Sequence, residues 1–388
     1  MPDPALLHAE SLVLDGHADT PQRFVDEGWD FAGPLGTGML NLASARAGNL
    51  AAEFFAIWVE PQEWRGRYVH RTLQLIDGVY EQLRKHPTTL RLGLTPDDIL
   101  AAHRDKVFCI LLGIEGGHSI EADLGLLRLY HRLGVRYMTL TWSNTNEWAD
   151  SSGDLDDPGI HHHNGLTAFG REVIHEMNRL GMMVDVSHVS DQTLAHVLET
   201  TRAPIIASHS SARALTNSPR NLTDEQLRAI AATNGVVMVN FYSSFIDDAW
   251  RIAWKATLAQ REPLYAAAAA PFRTRGEPVP YNVPLQVDRD FYAQHLQATL
   301  PRPPLSSLID HIDHVAQIAG IDHVGLGSDF DGFALLPAEL ESAADLPKIT
   351  AALMQRGYSE PQMKKLLGGN LLRVFREVQA FAAHAASE

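Results

Sequence analysis

Residues 182–200 read MMVDVSHVSDQTLAHVLET, and the fold is decided by how that stretch divides. Residues 182–187 form a short, mostly apolar run of strand length that ends on Ser187 and His188. Ser190 then stands where a helix N-cap belongs, and Leu194, Val197 and Leu198 follow at helical spacing. A strand that passes through a polar end and a cap into a helix is one βα unit. Working outward, the same phrase recurs: apolar runs at 11–16, 52–59, 106–114, 136–141, 182–187, 204–208, 235–241 and 323–328 each close on polar residues. Helical periodicity follows in several of the gaps, at 165–180, 191–200, 223–232 and 306–319, and Thr223 with Gln226 has the spacing of a capping box. Such repeats predict a parallel sheet covered by helices. Eight of them without a Gly-rich dinucleotide fingerprint after any strand favour a closed (β/α)8 TIM barrel over an open doubly wound sheet.

The whole chain, 1–388, is read as a single barrel domain, since no shift of composition marks a second one. Two stretches are expected to be irregular: 153–164, which carries His161, His162 and His163, and 247–304, rich in Pro, Ala and Arg. The second is long enough to be a lid or an inserted segment. After residue 332 the apolar periodicity at 349–353 and 366–381 predicts helices that complete the outer ring.

A net charge of −15 argues against a nucleic-acid partner, which needs clustered Lys and Arg. No basic N-terminal region with an apolar stretch, no long apolar run and no lipid-anchor signal is visible, so a cytoplasmic protein without a membrane partner is expected. The single cysteine, Cys109, falls in an apolar run and reads as a buried, inert thiol.

In a (β/α)8 enzyme the chemistry gathers at the C-terminal ends of the strands. Those ends carry His17 and Asp19, Glu115, His188, His209 and Asp329. A lone histidine at a strand end is usually structural; the joint pattern is what points to a metal. Nitrogen and oxygen donors of this kind suit zinc or another divalent ion. With one His-x-Asp pair, two further imidazoles and a solitary glutamate, the economical arrangement is binuclear. Glu115 bridges, His17 and Asp19 complete one site, and His188 and His209 complete the other. Water shared between such ions ionises near neutral pH and attacks a polarised carbonyl. Asp329 is the candidate general acid and base that moves the proton to the leaving amine. The neighbouring Asp331-Gly332 pair reads as a turn.

The runs Leu14-Asp15-Gly16-His17-Ala18-Asp19, Gly113-Ile114-Glu115-Gly116-Gly117-His118-Ser119, Val184-Asp185-Val186-Ser187-His188-Val189-Ser190, Ser208-His209-Ser210-Ser211-Ala212, Arg220-Asn221 and Gly327-Ser328-Asp329-Phe330-Asp331-Gly332 resemble the renal or membrane dipeptidase family, peptidase family M19 of the amidohydrolase superfamily. They stand in family order from residue 14 to residue 332. The resemblance implies two zinc ions per chain, hydrolysis of dipeptides including those with a D-residue at the C-terminal position, and a homodimer. It places Arg220 on the family's arginine for the substrate carboxylate, with Asn221 and Tyr242 as further candidates to line the pocket. At Trp142 the chain departs from the mammalian members, which carry a histidine there that touches the substrate. Trp142 is therefore a candidate substrate-binding residue of altered character, and Asn144 or Asn146 is expected to supply the lost donor. That departure also keeps alive hydrolysis of another amide, such as an N-acyl amino acid or a β-lactam-like ring. A non-catalytic barrel scaffold is the remaining reading, disfavoured because the ligand set is complete. His118 is expected to orient Glu115 or its loop, and Asp185 to hold a ligand histidine. The three adjacent histidines are expected on a solvated loop or rim.

Overall fold

The computed structural model describes residues 3–385. Nine parallel strands run β1 Val13–Ala18, β2 Leu50–Trp58, β3 Leu90–Leu92, β4 Phe108–Glu115, β5 Val135–Thr139, β6 Met183–Asp185, β7 Ile205–Ala207, β8 Val236–Asn240 and β9 Val324–Gly327. Eight of them close a barrel in the order β1-β2-β4-β5-β6-β7-β8-β9, with β9 returning to β1. All eight overlap the runs read from the sequence, with bounds that differ by one or two residues at β1, β2, β4 and β5. The ninth, β3, pairs with the first half of β4, Leu90 opposite Phe108, while β5 takes the second half from Leu112 onward. Three residues are too few to show a period, which is why this strand escapes a sequence reading.

Alternation along the strands sorts the core into two layers. Leu14, Phe54, Leu111, Tyr137, Ile206 and Met238 fill the barrel interior, while Phe55, Ile57, Ile110, Leu112, Val237 and Val239 face the helices. Cys109 belongs to the inner cluster, and burial pushes its thiol up to about 12, which removes it as a nucleophile. The helix Asn370–Ala385 differs from expectation: Leu371, Val374 and Phe375 join the inner cluster, so this helix plugs the N-terminal mouth of the barrel besides packing on its outside. The caps at Ser190 and Thr223 form as the sequence suggests.

The segment 247–304 is not irregular. It forms helices Asp248–Ala256, Leu258–Arg275 and Asn282–Phe291, continued by a wide turn at Tyr292–Leu296. Pro263 and Pro271 lie inside the second of these, which disguises it in the sequence. Trp250, Trp254, Phe291 and Tyr292 make a small core of their own. Arg261 lies 4.0 Å from the Trp254 ring centroid and donates to Asp288, which also accepts from the Tyr265 hydroxyl, so the helices are knit by a largely buried polar triad. This helical cap sits over the C-terminal rim of the barrel, because Trp250, Trp254, Leu285 and Asp288 line the same cavity as Glu115 and Asp329. The stretch 153–164 is built of turns and bends, as expected.

Candidate metal centre

Strict alternation sets Leu14 and Gly16 toward the barrel axis, which would turn His17 outward. The register with β2 changes this: Asp15 pairs with Glu53 and Ala18 with Phe55, so β1 contains one extra residue. A bulge of this kind re-aims side chains at a barrel rim. It brings the His17 ring to 3.8 Å, centroid to centroid, from the ring of His209.

Around Glu115 the donors divide between its two oxygens. His17 Nε2 lies 3.3 Å from Oε2, whereas His188 Nε2 and His209 Nε2 lie 2.9 and 3.4 Å from Oε1. Asp19 stands on the His17 side, its Oδ2 3.9 Å from His17 Nε2. His17 Nε2 and Asp19 Oδ1 are buried without a hydrogen-bond partner. The Nε2 atoms of His188 and His209 face each other at 2.9 Å. Buried polar atoms are ordinarily satisfied, so converging, unspent donors of this kind fit a cation. Two overlapping sets meet the spacing of a metal site: His17, Glu115 and His209; and His17, Asp19 and Asp329. Gly332 leaves room between them, since a Cβ there would stand 2.2 Å from Asp329 Oδ1 and 2.4 Å from Asp19 Oδ2.

The far nitrogens of His17 and His209 are held. His17 Nδ1 meets the Tyr137 hydroxyl at 2.7 Å, which donates to the Gly16 carbonyl. The Tyr137 ring occupies space that only the absence of a side chain at Gly113 provides. His209 Nδ1 meets Ser208 Oγ at 2.7 Å, which donates to Asp185 Oδ2. These contacts leave Nε2 of both rings as the lone-pair nitrogen, the tautomer a metal requires. Asp185 also accepts from Thr139 Oγ1 and from the amides of Ser187 and Ser208. It thus reaches its histidine through one intervening hydroxyl. Asp185→Asn replaces an acceptor of four hydrogen bonds by a group that must donate; metal titration should show affinity weakened by about 10–100-fold with the fold intact.

Burial dominates the electrostatics. It strips His188 of its proton, aided by Arg220, and lowers its pKa to about 4; burial, with His17 beside it, holds His209 well below the usual imidazole range too. Burial opposes charge on His17 too, but Glu115, Asp19 and Asp329 outweigh it and raise its pKa to about 10. The negative side of the centre therefore calls for positive charge. Burial would also raise Glu115, yet His17 and the other two imidazoles hold it well below the carboxylate range. Asp329, accepting from Asn240 Nδ2 at 2.9 Å, is pushed by burial up to about 6 against the pull of His17. His188 and Asp329 sit at φ values of 68° and 60°, a left-handed conformation that costs a side-chain-bearing residue about 1–3 kcal/mol and persists where the surroundings over-determine it.

The cavity above has a volume of about 230 Å³, below the roughly 300–1,000 Å³ of drug-sized sites, so it suits a small molecule. Tyr242 and Trp142 line it; Asn221 does not. The Asn221 amide donates to the carbonyls of Thr216 and Phe245 and braces that loop. Arg220 lies beside the centre, nearly buried, with Nη2 donating to the His209 carbonyl, Nη1 to Ser210 Oγ, and Nε unpartnered. Neither Asn144 nor Asn146 reaches the cavity: Asn146 is spent on Leu140, Trp148 and Ala149, and from this loop Ser143 lines the wall instead. His118 bonds the Val59 carbonyl rather than Glu115. His163 bonds the Asn146 carbonyl, His162 lies 4.0 Å from Asp150, and His161 is exposed, so the triple histidine stays apart from the centre. Tyr137, Ser208, Thr139 and Asn240 support the site without having been singled out in the sequence. Gly113 was the one local sign that a large side chain crosses the barrel.

A family model described as membrane dipeptidase, peptidase family M19, matches residues 4–388. Among solved structures, the chain is similar to the probable dipeptidase PvdM from Pseudomonas aeruginosa, at 27% identity and a TM-score of 0.78, covering 97% of this chain and 98% of that one. It is also similar to a metallopeptidase from Rhodobacter sphaeroides bound to a phosphinate mimic of the dipeptide L-Ala-D-Ala. There the identity is 26% and the TM-score 0.73, over 95% of this chain and 100% of that one. Among the described residues no helix is long and apolar enough to cross a membrane.

Proposed function

Because the chain belongs to peptidase family M19 and is a metal-dependent dipeptidase, we propose that its centre holds two divalent cations, zinc in the first instance, with Glu115 as the shared ligand, and that it cleaves both L,L and L,D dipeptides. The observation that carries this reading is the division of donors over Glu115: His17 and Asp19 stand on the Oε2 side, His188 and His209 on the Oε1 side. The inclusion of L,D dipeptides draws on the Rhodobacter sphaeroides relative, which was solved with a mimic of L-Ala-D-Ala. Bound ions of this kind polarise a carbonyl and lower the pKa of water.

The protein's own groups do the rest. Arg220, anchored through Nη1 on Ser210 Oγ and Nη2 on the His209 carbonyl, offers its unpartnered Nε and its charge to the substrate carboxylate, an anion that a guanidinium recognises. Asp329 keeps Oδ2 on Asn240 and leaves Oδ1 free to take a proton from the attacking water and return it to the amine that leaves. Trp250, Trp254, Phe245 and Phe333 wall the cavity and exclude bulk water, which strengthens each of these interactions.

Two measurements test this. Metal-loaded enzyme assayed against L,L and L,D dipeptides and N-acyl amino acids should turn over the dipeptides fastest; preference for the N-acyl compounds would move the assignment to another amidase. Arg220→Met should raise KM for a dipeptide by about a hundredfold or more, since it leaves a carboxylate unpaired in a dry site, and should leave a C-terminally amidated dipeptide almost unaffected.

A further inference from the structure

A second and larger cavity, about 840 Å³, lies beside the metal centre, and Trp142 lines both spaces. Its other walls come from the end of β2 at Trp58, from Arg71 in the helix Tyr68–Lys85 that follows, and from the helical cap, including Tyr265, Ala269 and Tyr281. The Trp142 ring packs 5.0 Å from that of Trp58, which lines the chamber, so these indoles stand where the two spaces adjoin. In the barrel order β2, which ends in Trp58, stands four strands from β7, after which Arg220 follows. The chamber and the carboxylate-binding arginine therefore lie across the barrel from each other. A dipeptide anchored at Arg220 through its C-terminal carboxylate, with its scissile bond at the metal centre, directs its acyl-side residue toward the chamber.

The charge in the chamber is unbalanced. Arg71 is matched by Asp26 at 2.8 Å and Arg273 by Glu63 at 3.6 Å. Glu60 and Glu262 also line it, and among the described residues neither has a Lys, Arg or His within ion-pair distance. Trp58 Nε1 is buried without a partner.

We propose that this chamber is the subsite for the acyl-side residue of the substrate and that it selects a long side chain with an apolar stem and a positive charge at its end. The stem lies along the Trp58 and Trp142 indoles, which favour both apolar contact and a nearby cation, and the charge meets Glu60 and Glu262. This inference rests on the dipeptidase reading of the metal centre. It gives Trp142 a use: the indole stands where the resemblance leads one to expect a histidine and forms one wall of the added space.

The test compares kcat/KM of the metal-loaded enzyme for Arg-Ala, Ala-Ala and Glu-Ala. Arg-Ala should exceed Ala-Ala by about tenfold, and Glu-Ala should fall below it. Glu262→Lys, at an exposed position that tolerates the change, should lower the Arg-Ala to Ala-Ala ratio by about fivefold and raise the Glu-Ala to Ala-Ala ratio. Ala269→Trp should lower the Arg-Ala to Ala-Ala ratio by more than about tenfold by filling the chamber. If that variant does not fold, Glu262→Lys decides alone. Turnover of Ala-Ala with no preference for Arg-Ala over Glu-Ala, or ratios unmoved by the variants that fold, overturns the subsite and leaves the dipeptidase reading standing. No turnover of any dipeptide overturns both.

Discussion

Glu115→Gln should yield a folded protein that has lost most of its metal and at least about a thousandfold in kcat/KM, because this carboxylate stands between His17 on one oxygen and His188 and His209 on the other and is the proposed shared ligand. The amide keeps the volume of the side chain. It offers one weak acceptor where the carboxylate offers two charged oxygens, and its NH2 faces either His17 or the His188 and His209 pair. Removing the negative charge also takes from His17 the foremost of the carboxylates that offset its burial, and takes from the neutral His188 and His209 the oxygen that their Nε2 atoms face. Metal analysis on the purified variant reads the first effect and dipeptide turnover the second. A variant that keeps two ions per chain would show that Glu115 does not bridge.

Asp329→Asn should do the opposite on the first measurement and the same on the second. It should retain its metal yet lose turnover by about 10²–10⁴-fold, the range set by removing a positioned proton carrier. The geometry makes this a sharp test, because Asp329 also falls in a possible ligand set with His17 and Asp19. If Asp329 holds an ion, the variant loses metal and the proton path must be assigned elsewhere. If it carries the proton, metal content stays and only chemistry fails. Asn240 donates to Oδ2 in the native protein, so the substituted amide can turn its oxygen to the same partner and keep the loop in place.

Much of this was legible in the chain. His17, Asp19, Glu115, His188, His209 and Asp329 each follow an apolar run, and a parallel barrel collects whatever follows its strands at one rim. What was not legible depends on contacts between distant segments. The expected donors Asn144 and Asn146 failed to reach the cavity because the loop after β5 turns back on itself, with Asn146 spent on the backbone of Leu140 and Ala149. The cap over the site was hidden because Pro263 and Pro271 interrupt the helical pattern of 258–275, although the helix survives through the buried link among Arg261, Tyr265 and Asp288.

By itself the sequence determined that eight strand-and-helix units close on one another and which side chains crown them, since both follow from local periodicity and from the short steps between a strand and its helix. The tertiary structure decided which way those side chains look and what surrounds them. An extra residue in β1 turns His17 inward, Tyr137 crosses the barrel into the gap at Gly113, and Ser208 links His209 to Asp185. Trp142 comes to line two adjoining spaces only when a helical cap more than a hundred residues later folds over it. Direction at a bulge and enclosure by a remote segment are properties of pairs of elements, and a period read along one element carries no information about its partner.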